Sequence, residues 1–174
     1  LGSNTLTLGS QTSDLSITDN LTLSEANGVL QSGSADITVE GNAVLNQGKL
    51  ISTDGTIILR KGGLQSGTFE LILGESIFSL SGNYMKIGGT ISSSDAKLNL
   101  LDNITINSDS SLIFGELELN DMSLTLGSES TDFTVNSSVT LDNEGEWLIT
   151  EDADLTLLDF LKEDALELIM LDRY

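Results

Sequence analysis

A fixed spacing of apolar residues recurs along this chain, and it constrains the fold more than any other feature. Three stretches place apolar residues at offsets 0, 7, 9, 13, 15 and 22. A constant period of about 20 to 50 residues is typical of solenoids, in which each unit buries its apolar face against its neighbours. The sequence therefore predicts a coiled repeat of about 22 residues. The aligned residues are Leu8, Leu15, Ile17, Leu21, Leu23 and Leu30; Ile91, Leu98, Leu100, Ile104, Ile106 and Ile113; and Leu126, Phe133, Val135, Val139, Leu141 and Leu148.

Short triplets in which one polar residue separates two apolar residues fill each unit, as in Leu21-Thr22-Leu23. Alternation with a period of two puts both apolar side chains on the same side of an extended strand, which a helix would not do. Breaks of only three residues, such as Thr18-Asp19-Asn20, separate neighbouring triplets. The sequence therefore predicts short strands joined by tight corners.

A sandwich or an up-and-down barrel would also consist of short strands. Those folds need two-residue reversals, and only Asn27-Gly28 and Asp54-Gly55 have the sequence that such reversals favour. We therefore predict an all-β chain folded as a right-handed parallel β-helix (β-solenoid), with about 22 residues per coil and about eight coils. The right hand follows the preference of parallel crossover connections.

One solenoid domain is predicted to span 1–174, with a less regular terminal coil or cap at 158–174. The coil register is left open at 60–64, where Gly occupies an expected apolar position, and at 116–132, where the repeat is compressed. The chain starts at Leu1 and opens directly into patterned sequence. We therefore expect a segment of a longer or processed protein.

The charge balance and the missing residue types exclude several classes of function. The chain has 27 acidic and 7 basic side chains, a formal net charge of −20, and no Cys or His. A chain this negative repels nucleic acids and anionic membrane surfaces. The absence of Cys and His removes thiolate catalysis, zinc-thiolate sites and the commonest general base. No apolar run is long enough to cross a membrane. We therefore predict no nucleic-acid partner, no membrane insertion and no enzymatic activity.

Two acidic clusters near the end of the chain offer carboxylate oxygens, which are the ligands that Ca²⁺ prefers. Neither cluster matches the twelve-residue EF-hand loop or the Gly-Gly-x-Gly-x-Asp repeat, and acidic loops on an acidic protein are ordinarily solvated. We therefore expect no cofactor, with calcium as the alternative. The candidate calcium ligands are Asp142, Glu144, Asp152 and Asp154.

A structural role is predicted for Asn20, Asn42 and Asn103, which precede equivalent apolar pairs. Asn tolerates the left-handed backbone conformation and bonds to neighbouring backbone groups, so it suits a sharp corner. We expect Asn20 and Asn42 to stack as a short amide ladder. Asn20, Asn103 and Asn136 also match the N-glycosylation acceptor pattern, which the repeat itself generates at the first two.

Short Gly-x-Leu and Gly-x-Ile segments recur along the repeats, at Gly28-Val29-Leu30, Gly48-Lys49-Leu50, Gly62-Gly63-Leu64 and Gly89-Thr90-Ile91. With these segments the repeats resemble those of bacterial filamentous haemagglutinins and autotransporter passenger domains, with no secretion-domain motif to match. This resemblance implies a secreted right-handed β-helix that acts as an adhesin, stalk or surface fibre, and it transfers no catalytic residues. Self-association through the open ends and binding to surface glycans are the expected interactions, with an extracellular or cell-surface location.

A carbohydrate-active β-helix, either a polysaccharide lyase or hydrolase or a glycan-binding module, is the alternative. Such enzymes need paired carboxylates or a basic proton acceptor, and carboxylates are plentiful here. Aromatic platforms for sugar rings are scarce, because Trp147 is the single Trp and the chain has only two Tyr. The isolated Arg60-Lys61 pair is interpreted as a solvated corner.

Overall fold

The computed structural model describes residues 1–9, 13–61, 70–81, 89–106, 110–127, 131–140, 146–150, 153–158 and 168–170. Every regular element within these ranges is a strand, as the alternating pattern predicts. The strands are β1 (Thr5–Thr7), β2 (Leu15–Ile17), β3 (Leu21–Leu23), β4 (Val29–Gly33), β5 (Ile37–Val39), β6 (Ala43–Leu45), β7 (Lys49–Ser52), β8 (Thr56–Leu59), β9 (Glu70–Leu73), β10 (Ile77–Leu80), β11 (Gly89–Leu100), β12 (Ile104–Ile106), β13 (Ser110–Glu118), β14 (Ser123–Leu126), β15 (Thr131–Thr140), β16 (Trp147–Thr150), β17 (Asp154–Leu157) and β18 (Leu168–Met170).

The strands stack in three parallel columns, because each one pairs with strands one turn away along the chain. The first column contains β1, β4, β7, β9, the first halves of β11, β13 and β15, and β17. The second contains β2, β5, β8, β10 and the second halves of β11, β13 and β15. The third contains β3 and β6, and then β12, β14, β16 and β18. The predicted parallel β-solenoid is confirmed, while its right hand stays a prediction.

The repeat is slightly shorter than the sequence pattern predicts. In the first column Leu30 pairs with Leu50, Leu50 with Leu71, Leu71 with Ile91, and Ile91 with Leu112. These steps are 20, 21, 20 and 21 residues long. The solenoid makes about six turns with a spacing of about 21 residues. The sequence pattern predicts about eight coils, which is more than this number of turns.

The one-residue difference has a consequence for Ile113, which the pattern predicts to face inward. Leu112 and Phe114 are buried instead, and Ile113 is only half-buried. Because side chains alternate along a strand, a slip of one residue moves each of them to the other face. The prediction for Ile113 is therefore wrong, and Leu112 is the partner of Ile91.

The third aligned stretch also proves to be out of phase with the second. Leu126 lies in the third column and pairs with Ile106, whereas Ile91 lies in the first column. Phe133 is the residue that continues the ladder from Ile91, through Leu112. The error arises because all three triplets of a turn share the same apolar-polar-apolar pattern, so an alignment shifted by one third of a turn also matches.

The sequence left the coil register open at 60–64 and at 116–132, and the structure gives that register for the residues it describes. Between 116 and 132, Leu117, Leu119 and Leu124 are buried, and the turn between them uses Asn120 and Asp121 at φ 52° and 64°. Near 60–64, Arg60 and Lys61 are exposed, and 62–64 lie outside the described residues. Within 158–174, β18 pairs in parallel with β16.

The interior is a continuous ladder of aliphatic and aromatic side chains. Phe78, Phe114 and Phe133 are fully buried near its centre, with ring centroids 6.4 and 6.3 Å apart along the series. Burial of one such side chain stabilises the fold by about 1.5–3 kcal/mol. Repetition of this contribution at every turn stabilises the stack.

Buried serines accompany this apolar interior at the corner between the first and second columns. The Ser76 hydroxyl donates to Ser52 Oγ at 2.8 Å, and the Ser52 hydroxyl donates to the Gly33 carbonyl at 3.3 Å. Ser93 Oγ accepts a bond from the backbone N–H of Leu73 at 3.3 Å. Among the described residues no buried side-chain polar atom lacks a partner, so the corner is polar without being destabilised.

Candidate functional site

A surface groove of about 440 Å³ lies at the corner where the first column passes into the second. We call it the corner groove. Its members come from four successive turns, because the register pairs Ile77 with Lys97, Lys97 with Glu116, and Glu116 with Ser138, the neighbour of the lining residue Ser137. The groove therefore runs along the axis of the solenoid. Its lining residues are Glu75, Ile77, Ser94, Asp95, Lys97, Gly115, Glu116 and Ser137.

Strands of unequal length at this corner produce the groove. Ser93 pairs with Phe114 and Lys97 pairs with Glu116, so three residues of β11 face the single residue Gly115 of β13. A Cβ atom at Gly115 would lie 2.6 Å from the carbonyl oxygen of Ser94. Only glycine fits there, and its missing side chain leaves space beside the bulge of β11.

Among the described residues that line the corner groove, Lys97 is the one cation. Its Nζ lies 3.2 Å from Oε2 of Glu116 and 3.1 Å from Oε2 of Glu118. The hydrogen bond to Glu118 raises the pKa of Lys97 above 10.5, with partial burial acting in the opposite direction and Glu116 adding to the rise. The ammonium group therefore stays protonated at neutral pH, which makes Lys97 a poor proton acceptor.

Two further carboxylates give the groove an excess of negative charge. Glu75 and Asp95 are exposed, and neither forms an ion pair with another described residue. Glu116 forms an ion pair with Lys97. Among the described lining residues, three carboxylates thus face one ammonium group, and these residues attract cationic groups more strongly than anionic ones.

The candidate calcium ligands are not assembled within the described part of the structure. Asp142, Glu144 and Asp152 lie outside the described residues, and Asp154 is exposed at the start of β17. No group of three or more acidic, His or Cys side chains in the described ranges is arranged to hold a metal ion. Calcium binding stays a prediction.

The corner residues Asn20 and Asn103 form hydrogen bonds that differ from the predicted ladder of side-chain amides. Asn20 Oδ1 accepts a hydrogen bond from the backbone N–H of Asn42 at 2.8 Å, in place of a contact between two side-chain amides. Asn103 Oδ1 accepts from both the N–H and the hydroxyl of Ser123, at 2.8 and 3.0 Å. Each Asn therefore binds the equivalent residue one turn further on, because Leu21 pairs with Ala43 and Ile104 with Leu124.

An amide ladder does occur, on the outer face of the second column, where the sequence pattern did not indicate it. The Asn99 side-chain amide donates to Ser79 Oγ at 3.1 Å, and the Asn120 amide donates to Asn99 Oδ1. The Asn120 amide also donates to the Leu100 carbonyl at 3.0 Å. The signal that could have found this ladder is the spacing of 20 and 21 residues between its members.

The corner groove was also missed from the sequence, where the basic residues look scattered. Lys97 meets Glu116 and Glu118 only because they lie one turn away, at separations of 19 and 21 residues.

The predicted glycosylation acceptors and Arg60 are not among the residues that line the groove. Among the three glycosylation acceptor positions, Asn136 is half-buried in β15, while Asn20 and Asn103 are exposed. Arg60 lies 3.7 Å from Glu40 through its Nε, and both side chains are nearly half exposed, which agrees with a solvated corner.

No helix in the described part of the chain has the length and hydropathy needed to span a bilayer. Comparisons with protein-family models, with curated proteins and with solved structures each found no match to this chain.

Proposed function

We propose that this chain is a structural and adhesive β-solenoid segment of a secreted or cell-surface bacterial protein, such as an adhesin, a stalk or a fibre subunit. Its role depends on the length of the stack, on surface charge and on the association of its ends. The resemblance to filamentous-haemagglutinin and autotransporter passenger repeats supports this location and role.

The exposure of inward-facing residues on the first turn is the observation that carries the proposal. Leu6 is 38 % exposed, whereas Leu30, its partner one turn later, is fully buried. Leu15 is half-buried, whereas its partner Ile37 is fully buried. The first turn therefore presents apolar surface that another turn of the same kind would cover.

Unpaired strand edges accompany this apolar surface. Among the described strands, β1, β2 and β3 of the first turn each pair on one side only, and so do β6, β12, β17 and β18. An unpaired edge presents rows of backbone N–H and C=O groups that favour the addition of another strand. A second copy, or further coils, would satisfy these groups and bury the exposed leucine together.

Sedimentation velocity and small-angle scattering of the purified chain, over a wide range of concentration, test the association of ends. We expect the mass to rise with concentration and the particle to lengthen along one axis. Leu6→Lys introduces a charge on the first turn and should reduce association, since an edge charge disfavours pairing. Ile72→Lys, at a residue 43 % exposed on the side of the solenoid, is the matched control. A wild-type chain that stays monomeric throughout overturns self-assembly.

Adhesion requires a separate measurement, because a rod can assemble without binding a target. Binding of the labelled chain to glycan arrays and to bacterial and host-cell surfaces should exceed that of a neutral carrier protein. Failure on every surface would leave a structural spacer and would remove the adhesive part of the proposal.

A carbohydrate-active or glycan-binding β-helix is the second candidate, and the corner groove favours it. The groove runs along the axis and is lined by the carboxylates of Asp95 and Glu116, which are the type of side chain that glycosidases use. The protonated state of Lys97 argues against lyase chemistry with this residue as the base. Release of reducing ends from neutral and acidic polysaccharides, compared with Asp95→Asn, separates catalysis from binding.

A further inference from the structure

We propose that the corner groove binds a linear glycan whose sugars carry protonated amino groups, of which an oligomer of glucosamine is the simplest example. This inference rests on the glycan-binding form of the proposed function and names the ligand class for it. Three features of the groove carry the argument: its direction, its charge and the mixture of groups that line it.

The direction of the groove suits a chain-like ligand. Its lining residues come from four successive turns, from Glu75 and Ile77 on the first to Ser137 on the last. Because neighbouring turns lie roughly 4.8 Å apart, three steps give a length of about 14 Å. A volume of about 440 Å³ lies within the range of small-ligand sites. An extended oligosaccharide parallel to the axis would contact every turn.

The charge of the groove selects among oligosaccharides. Lys97 is held by Glu116 and Glu118 at 3.2 and 3.1 Å, which leaves Glu75 and Asp95 without a cationic partner among the described residues. These two carboxylates would attract the ammonium groups of an amino sugar and repel the carboxylates of a uronic acid. The chain's net charge of −20 acts in the same direction over longer distances.

The uncharged lining favours a sugar over a simple polyamine. Ser94 and Ser137 are exposed and offer hydroxyl groups that donate and accept hydrogen bonds. Ile77 is 38 % exposed and offers apolar contact to the C–H face of a pyranose ring. A polyamine has no hydroxyl groups to use the serines and no ring to lie on Ile77.

Isothermal titration calorimetry of the full chain with four probes tests the ligand class. The probes are the glucosamine tetramer, the N-acetylglucosamine tetramer, the galacturonate tetramer and spermine. We expect the glucosamine tetramer to bind about tenfold more tightly than its acetylated form, and the galacturonate tetramer not to bind. Equal affinity for spermine would overturn the glycan assignment, because charge alone would then suffice.

Substitutions place the binding in the groove. The double variant Glu75→Gln/Asp95→Asn should weaken binding of the glucosamine tetramer about tenfold. Glu25→Gln/Asp132→Asn removes the same charge from exposed positions outside the groove and should change binding by less than about twofold. Lys97→Met removes the competing ammonium group and should tighten binding.

Two further outcomes overturn the inference. An equal loss of binding in both double variants would assign the binding to overall charge, and an absence of binding to every oligosaccharide would exclude a glycan site. The first outcome overturns this site alone and leaves glycan binding as a function, whereas the second overturns the glycan-binding form of the proposed function as well. Neither outcome affects the association of ends, which depends on Leu6 and the first turn and is measured separately.

Discussion

Asn20 Oδ1 accepts a hydrogen bond at 2.8 Å from the backbone N–H of Asn42, which lies one turn further along the chain. Acidic residues repeat this arrangement at the corner before the second column. Asp14 Oδ1 accepts from the N–H of Asp36 at 3.1 Å, and Asp36 Oδ1 accepts from the N–H of Thr56 at 2.7 Å. The bends of successive turns are therefore joined by side chains, where the strand ladder cannot supply a backbone partner.

Removal of these corner bonds should destabilise the solenoid in proportion to their number. Asn20→Ala loses one bond, so the free energy of unfolding should fall by about 0.5–1.5 kcal/mol. Asn103→Ala loses two bonds to Ser123 and should lower it further. Urea denaturation measures both. Asn103→Asp keeps the acceptor oxygen and is the control, and equal stability of Asn103→Ala and wild type would contradict the role.

Gly9, Gly33 and Gly48 differ in how much their backbone angles and surroundings oppose a side chain, so their alanine variants should differ in stability. Gly9 has no atom within 4 Å of a Cβ position, so Gly9→Ala should leave stability nearly unchanged. Gly33 has φ +61° but space around it, so Gly33→Ala should cost about 1 kcal/mol. Gly48 has φ +88° and would place Cβ 2.3 Å from the Gly28 carbonyl, so Gly48→Ala should cost several times more. Thermal unfolding of the three variants should follow this order, and an intolerant Gly9 would contradict it.

Phe114 lies between Phe78 and Phe133 in the interior and should be more sensitive to substitution than the exposed Ile72. Phe114→Ala leaves a cavity among fully buried rings and should lower the free energy of unfolding by about 3–5 kcal/mol. Ile72→Ala, at a residue 43 % exposed, should change it by less than about 0.5 kcal/mol. Denaturation in urea compares them, and Phe114→Leu should fall between the two.

The strands and much of the interior could be predicted from the sequence, because alternation with a period of two is a local property. Leu98, Leu100 and Ile104 are buried as the pattern predicts. The phase of the coil could not be predicted, since the three triplets of a turn look alike. The sequence alignment consequently placed Leu126 in the first column, whereas it lies in the third. The step from Ile91 to its partner is 21 residues and not 22, so Ile113 lies on the outer face.

The corner groove could not be predicted for a related reason. Its charges meet across turns, and the separation of Lys97 from Glu116 is 19 residues because Gly115 alone faces three residues of β11. A local pattern does not show such an unequal pairing. The side chains of Asn20 and Asn103 bond across a corner, but the partner of each depends on the register to the next turn, which the sequence does not show.

The ion pairs of Lys97 predict a specific dependence of stability on alkaline pH. Because its pKa is raised above 10.5 in the folded chain, the stabilisation is fully present below pH 10.5 and is lost as the pH rises through the folded value. Wild type should therefore exceed Lys97→Met in free energy of unfolding by about 0.2–1 kcal/mol near pH 8, since the pair is one third exposed. This difference should decrease above pH 10.5 and should also decrease in high salt, which screens exposed charges.

Urea denaturation of wild type and Lys97→Met from neutral to alkaline pH measures this difference in stability. Lys61→Met, at an exposed corner residue, is the matched control. A difference between wild type and Lys97→Met that stayed constant with pH would show that the lysine acts through the packing of its stem and not through its charge.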